Sequence, residues 1–230
     1  MALVLLDIDG TLMWSGGAGS AALRIALEQA YGAPGLLENF DPGGRTVEDI
    51  LTGALSEAGF MPDAIQAGRT AFYQVLAAEL ERLFADGHYQ PEACPGALAL
   101  VQALLRDETV FLGLLTGNPR ATALIKLWAT GFDPGHFPVG AYGDEAIVRA
   151  DLLQLAISRA RNIFGEPFPA SEVVVVGDTV RDIAAGRAAG TRVVAVATGG
   201  DTMETLRDHQ PDALFATLDD TQAVLAAMLG

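Results

Sequence analysis

The stretch Val173-Val174-Val175-Val176-Gly177-Asp178-Thr179-Val180-Arg181-Asp182 runs four valines into a glycine, an acid and then residues with helical spacing. A short unbroken apolar run of this kind reads as a strand buried on both faces, which is the habit of parallel sheets. Working outward from it, further apolar runs fall at residues 3–7, 110–116, 138–142, 193–197 and, more weakly, 213–217. Helical patterns lie between most of them, over 97–106, 121–129, 152–162, 183–189 and 221–228. From Cys94 onward the chain therefore alternates strand and helix, and the expected fold is α/β, a doubly wound, mostly parallel sheet with helices on both faces.

The stretch between the first strand and the second breaks that rhythm. It has no convincing strand, and residues 20–31, 47–58 and 63–84 all have helical spacing. A structureless connection of this length is uncommon in a compact domain, so an inserted all-helical unit is expected. Glycine and proline place its hinges near Gly16-Gly17 and near Gly87 to Pro95. Residues 1–15 and 93–230 then form the α/β core and residues 16–92 the insert.

Composition narrows the function. The chain has 230 residues, 50% of them hydrophobic and 19% charged, which is enough apolar material for a folded core. Lysine and arginine number 14 against 29 acidic residues, a net charge of -15, so nucleic acid and anionic membranes are expected to be repelled. A single cysteine, Cys94, forms no internal disulfide, and a reducing, cytoplasmic setting is expected. The apolar start MALVLLDIDG is short and lacks a basic leader, so it reads neither as a signal peptide nor as a membrane span. His88, His136 and His209 are far apart and lack zinc-ligand spacing.

Three segments carry candidate chemistry, each at the carboxyl end of an expected strand, where open parallel sheets bind ligands. Asp7-Ile8-Asp9-Gly10-Thr11 sets two carboxylates two residues apart, with a glycine that admits close backbone approach. Leu114-Leu115-Thr116-Gly117-Asn118 ends a strand and opens a helix, where a hydroxyl and free amides suit an oxyanion or phosphate. Asp178 and Asp182 lie one helical turn apart after the four valines. Each segment also has a plain structural reading as a turn or a helix cap. Together, about four carboxylates in one crevice repel one another unless a divalent cation offsets them, and hard oxygen ligands suit Mg2+.

These three segments, in this order and with a helical insert after the first, resemble the motifs of the haloacid dehalogenase superfamily, in particular its phosphoglycolate phosphatase-like branch. The resemblance implies a Mg2+-dependent phosphatase acting on a small phosphate monoester through an aspartyl-phosphate intermediate. Asp7 is then the nucleophile and Asp9 the general acid and base, with its carbonyl on the metal. Gly10, Thr116, Gly117 and Asn118 hold the phosphoryl group; Asp178 is a metal ligand and Asp182 supports the metal indirectly. The family pattern also expects a cation, usually lysine, between the second and third motifs. The only lysine, Lys126, falls two turns into the helix after Asn118 and is expected at the surface, so Arg149 takes that role.

The insert is expected to act as a cap over the crevice. Its loop Asp41-Pro42-Gly43-Gly44-Arg45-Thr46 makes Arg45 and Thr46 candidates for substrate specificity, the alternative being a Thr46 helix cap beside a solvated Arg45. The cap has no lysine, which separates it from relatives that form a Schiff base there. Phe60, Phe72, Tyr73 and Phe84 read as packing in the cap. Trp14 lines the crevice or packs at the hinge. A sugar phosphomutase of the same fold and a non-catalytic phosphate-binding or phosphoacceptor protein remain the alternatives. The expected partner is a small phosphorylated metabolite, with the chain a monomer or homodimer.

Overall fold

A computed structural model describes residues 1–33 and 43–230. β1 (Ala2–Leu6) leads into a two-residue strand β2 (Met13–Trp14) and then three helices, α1 (Ala18–Tyr31), α2 (Val47–Glu57) and α3 (Pro62–Ala85). β3 (Glu92–Ala93) pairs antiparallel with β2. The alternation follows: α4 (Ala97–Leu104), β4 (Val110–Leu115), α5 (Arg120–Ala129), β5 (Val139–Ala141), α6 (Arg149–Phe164), β6 (Val173–Gly177), α7 (Val180–Ala189), β7 (Arg192–Val196), α8 (Met203–Asp208), β8 (Ala213–Phe215) and α9 (Thr221–Leu229).

Six strands form one parallel sheet in the order β5-β4-β1-β6-β7-β8. β1 lies between β4 and β6, with Leu6 opposite both Leu114 and Val176. The chain continues to opposite sides of β1 at this point, so the carboxyl ends of β1, β4 and β6 open onto one crevice. Alternation sorts the side chains. Leu6, Leu114 and Val176 pack under Leu100, Val101, Val224 and Met228, whereas Leu3, Leu5, Val173 and Val175 pack under Leu152, Leu153, Ile157 and Phe168. Both faces are covered, as the doubly wound reading requires.

α1, α2 and α3 bury a cluster of their own around Leu27, Leu51, Leu55, Phe72 and Leu80. Phe72 is fully buried there, and Phe60, Tyr73 and Phe84 pack against the cluster, so the aromatics of this segment are packing residues. The segment is seated on the sheet's carboxyl edge by the start of α2. Thr46 caps this helix, its side chain accepting from the Asp49 amide. The amides of Val47 and Glu48, which a helix start leaves without internal partners, donate to the carbonyls of Gly117 and Gly143 at 2.9 Å each. A methyl group at Gly117 would overlap the carbonyl of Arg45, so only glycine permits this approach.

Three features differ from the sequence expectation. The ribbon of β2 and β3, which carries the chain into and out of the helices, is too short for any apolar alternation to announce it. α8 is a single amphipathic turn and a half capped by Thr202. α6 and α7 each begin three residues before the first apolar position that suggested them. The start of α7 is marked by Thr179, whose side chain caps the helix while the Asp182 carboxylate accepts from the Thr179 amide.

Candidate active site

β1 ends at Leu6, so the next residue, Asp7, leaves the sheet at its carboxyl edge, and its amide donates to the Val176 carbonyl at 3.0 Å. Asp178 leaves β6 beside it, and the first turn of α7 brings Asp182 to the same place. Oxygens of these three buried carboxylates all lie within 4.8 Å of one another. Asp178 accepts from the Thr11 hydroxyl and the Gly200 amide, each at 3.2 Å. Asp182 Oδ2 accepts from the amide and hydroxyl of Thr179.

Arg149, the first residue of α6, is the buried counter-charge. Its Nη2 lies 3.1 Å from Asp7 Oδ2 and 2.5 Å from Asp182 Oδ1. Carbonyls of Leu115 and Gly44 accept from the same guanidinium, which locks its position. The contact with Asp182 is the shorter of the two ion pairs. One cation does not neutralise three carboxylates. Burial, against the pull of Arg149, pushes the Asp7 carboxyl up to about 6. Burial and the charges of Asp7 and Asp182 push Asp178 up to about 8. Although burial opposes its charge, Asp182, Asp7 and Asp178 hold Arg149 protonated, above its ordinary value. A pocket of hard oxygen donors with excess negative charge fits a divalent cation such as Mg2+.

Asp9 is separate from this cluster and 43% exposed at its side chain. Lys126 Nζ lies 2.5 and 2.8 Å from its two oxygens and 2.7 Å from Asn118 Oδ1, while Asn118 Nδ2 donates to Asp9 Oδ2 at 2.7 Å. Here the sequence expectation is corrected: Lys126 is not a surface residue but is 4% exposed, with its ammonium in the crevice. Helical side chains lean toward the helix N-terminus, so a residue two turns along α5 reaches back to its start. The one local signal is the four-residue spacing of Thr122 and Lys126, which puts both on one face of α5.

These groups line a cavity of about 510 Å³ between the sheet edge and the three helices. Asp7, Asp9, Gly10, Gly117, Asn118 and Arg149 all reach its wall, as do Asp178 and Lys126. Thr116 is fully buried behind it, its hydroxyl accepting from the amide and side chain of Asn118 at 3.2 and 2.9 Å. Of the loop at 41–46, Asp41 and Pro42 lie outside the described residues. Arg45 lines the cavity, with Nη1 2.9 Å from Asp49 Oδ2. Thr46 does not line it: its hydroxyl caps α2 and donates to the Ile147 carbonyl at 2.8 Å. The capping alternative describes it. Trp14 lines the cavity, one of the two roles considered for it, and its indole donates to the Thr198 carbonyl at 2.6 Å. Thr198, Gly199 and Gly200, which follow β7, close the wall beside Asp178 and carried no recognisable motif.

A sequence profile of the haloacid dehalogenase-like hydrolases matches residues 1–190. The chain belongs to this family. It is 27% identical over 97% of its length to a protein named pyrophosphatase PpaX from Bacillus pumilus, covering 96% of that protein. It is also 27% identical to a phosphoglycolate phosphatase of Synechococcus elongatus, over 99% of both chains. A hydrolase from Pseudomonas syringae shares the fold at a TM-score of 0.74, with 22% identity and full coverage of both chains. The resemblance of the three motifs to the dehalogenase-like hydrolases and their phosphoglycolate phosphatase-like members is thereby borne out, as is the α/β fold. Among the described residues, no helix is long and apolar enough to cross a membrane.

Proposed function

We propose that the protein is a phosphatase that hydrolyses a small phosphate monoester through a phosphoenzyme formed on Asp7. The observation that carries this reading is the buried Asp7 carboxylate, paired with Arg149 at 3.1 Å and clustered with Asp178 and Asp182 in a cavity. Asp7 Oδ attacks phosphorus as the bond to the leaving oxygen breaks, and Asp9 supplies the proton that oxygen needs. A water then attacks the aspartyl phosphate, Asp9 takes its proton, and phosphate and the Asp7 carboxylate are regenerated. Two displacements replace one difficult hydrolysis.

Arg149 aligns Asp7 and offsets part of the charge brought by the phosphoryl group, its guanidinium being fixed by two carbonyls and two carboxylates. Lys126 and Asn118 hold Asp9 at the cavity wall, and Thr116 orients Asn118. Asp7, Asp178 and the carbonyl of Asp9 are the residues that would hold Mg2+, with Asp182 behind them. Such a cation supplies electrostatic stabilisation of the transferring phosphoryl group and of the attacking carboxylate. We read residues 1–15 and 93–230 as the catalytic core and 16–92 as a cap that keeps water from the first displacement.

Phosphatase-named relatives over nearly the whole chain support this reading. Purified protein with Mg2+ is expected to release phosphate from p-nitrophenyl phosphate, and Asp7→Asn to lose at least about 10³-fold in kcat. Activity that survives in Asp7→Asn would exclude the nucleophile assignment.

A further inference from the structure

We propose that the cap side of the cavity is built for an uncharged, largely apolar alcohol, so that the substrate is the phosphate ester of such an alcohol. The inference rests on the phosphatase reading and deepens it. The core side of the cavity holds Asp7, Asp9 and Asp178 together with Arg149 and Lys126. The wall from the helical segment differs in chemistry: Leu23 of α1, Val47 and Ile50 of α2, and Leu76 and Leu80 of α3 line it, drawn from all three helices. Ser20 and Thr122 supply hydroxyls near the seam.

The supply of cations decides what this wall can accept. Residues 16–92 contain four arginines, Arg24, Arg45, Arg69 and Arg82, and no lysine; residues 34–42 contain neither. Arg24 is exposed and off the cavity wall. Arg69 is engaged by Glu48 at 2.6 Å, and Arg82 by Glu79 and Asp86. Arg45 is the one arginine of the segment on the wall, and Asp49 already pairs with it. On the core side, Arg149 is engaged with Asp7 and Asp182, and Lys126 with Asp9.

A second carboxylate or phosphoryl group on the substrate would therefore shed its hydration against aliphatic side chains, and the one arginine of the helical segment within its reach, Arg45, is already shared with Asp49. A net charge of -15 adds to that cost. An alkyl or aryl group gains from the same transfer, as ligands of apolar pockets with few polar anchors do.

The test compares ethyl, n-propyl and n-butyl phosphate with phosphoglycolate and inorganic pyrophosphate, using wild-type protein and Mg2+. The expected result is a kcat/KM that rises about threefold to fourfold per added methylene, with n-butyl phosphate about tenfold or more above phosphoglycolate. Leu76→Arg, which adds a cation to the wall, is expected to lower the ratio of n-butyl phosphate to phosphoglycolate about tenfold. Should that variant not fold, the wild-type series decides alone. A flat series, or preference for phosphoglycolate or pyrophosphate, overturns this inference and leaves the phosphatase reading intact. No turnover of any of these compounds overturns this inference, and the phosphatase reading falls with it if p-nitrophenyl phosphate is also left intact.

Discussion

Lys126 shows how much a single side chain can depend on its surroundings. Its ammonium makes three contacts of 2.8 Å or less, two to Asp9 and one to Asn118, in a site where burial strengthens charge-assisted bonds. Lys126→Met keeps most of the stem and removes the charge. The expected outcome is a folded protein whose kcat/KM falls about 10- to 100-fold, from the loss of about 1.5 to 3 kcal/mol of hydrogen bonding at Asp9. Steady-state kinetics beside circular dichroism measures this, and unchanged kinetics would make the contact merely structural. Arg149 was singled out by the family pattern, which expects a cation between the second and third motifs, and the structure seats its guanidinium between two carboxylates. Lys126 was misread because counting turns along the axis ignores the direction in which helical side chains lean. For Arg149→Lys, whose ammonium lacks the planar fork, the two carboxylates and two carbonyls cannot all be satisfied at once. We expect its kcat to fall about tenfold or more.

At the scale of the element, the start of α2 joins helices to sheet. Thr46 caps it, and its first amides end on carbonyls of the core. Thr46→Ala is expected to cost about 1 kcal/mol of stability, seen as a lower urea midpoint, with the ranking of substrates unchanged because Thr46 is off the cavity wall. A changed ranking would return Thr46 to the specificity role. Elements with long apolar runs, such as β1, β4 and β6, were legible in the sequence because burial on both faces writes itself into consecutive residues. β2, β3 and α8 were not, since two residues or six carry too little periodicity to rise above the background.

For the whole molecule, the buried acids couple stability to pH and to metal. In the folded protein Asp7 and Asp178 titrate near 6 and near 8, above the ordinary carboxyl value of 3.8. The folded state thus binds these protons more tightly than the unfolded state. The stability they contribute is full below about pH 4 and is lost as pH rises through about 6 and then about 8. Metal-free protein is accordingly expected to melt at a lower temperature at about pH 8.5 than at about pH 5, and Mg2+ to raise the midpoint more at the higher pH, where it competes with fewer protons. An equal Mg2+ shift at both pH values would place the cation elsewhere. The sequence alone determined the parallel sheet, the inserted helices and the three acidic segments at strand ends, because apolar runs and turn residues are local properties of the chain. Only the tertiary structure decided which groups meet: that Lys126 grips Asp9, that Arg149 sits between Asp7 and Asp182, that Thr46 caps a helix and Arg45 faces the cavity. The pairing of Lys126 with Asp9 alone joins residues 117 positions apart, and the geometry of such pairings follows from how helices pack on a sheet edge, which no local pattern records.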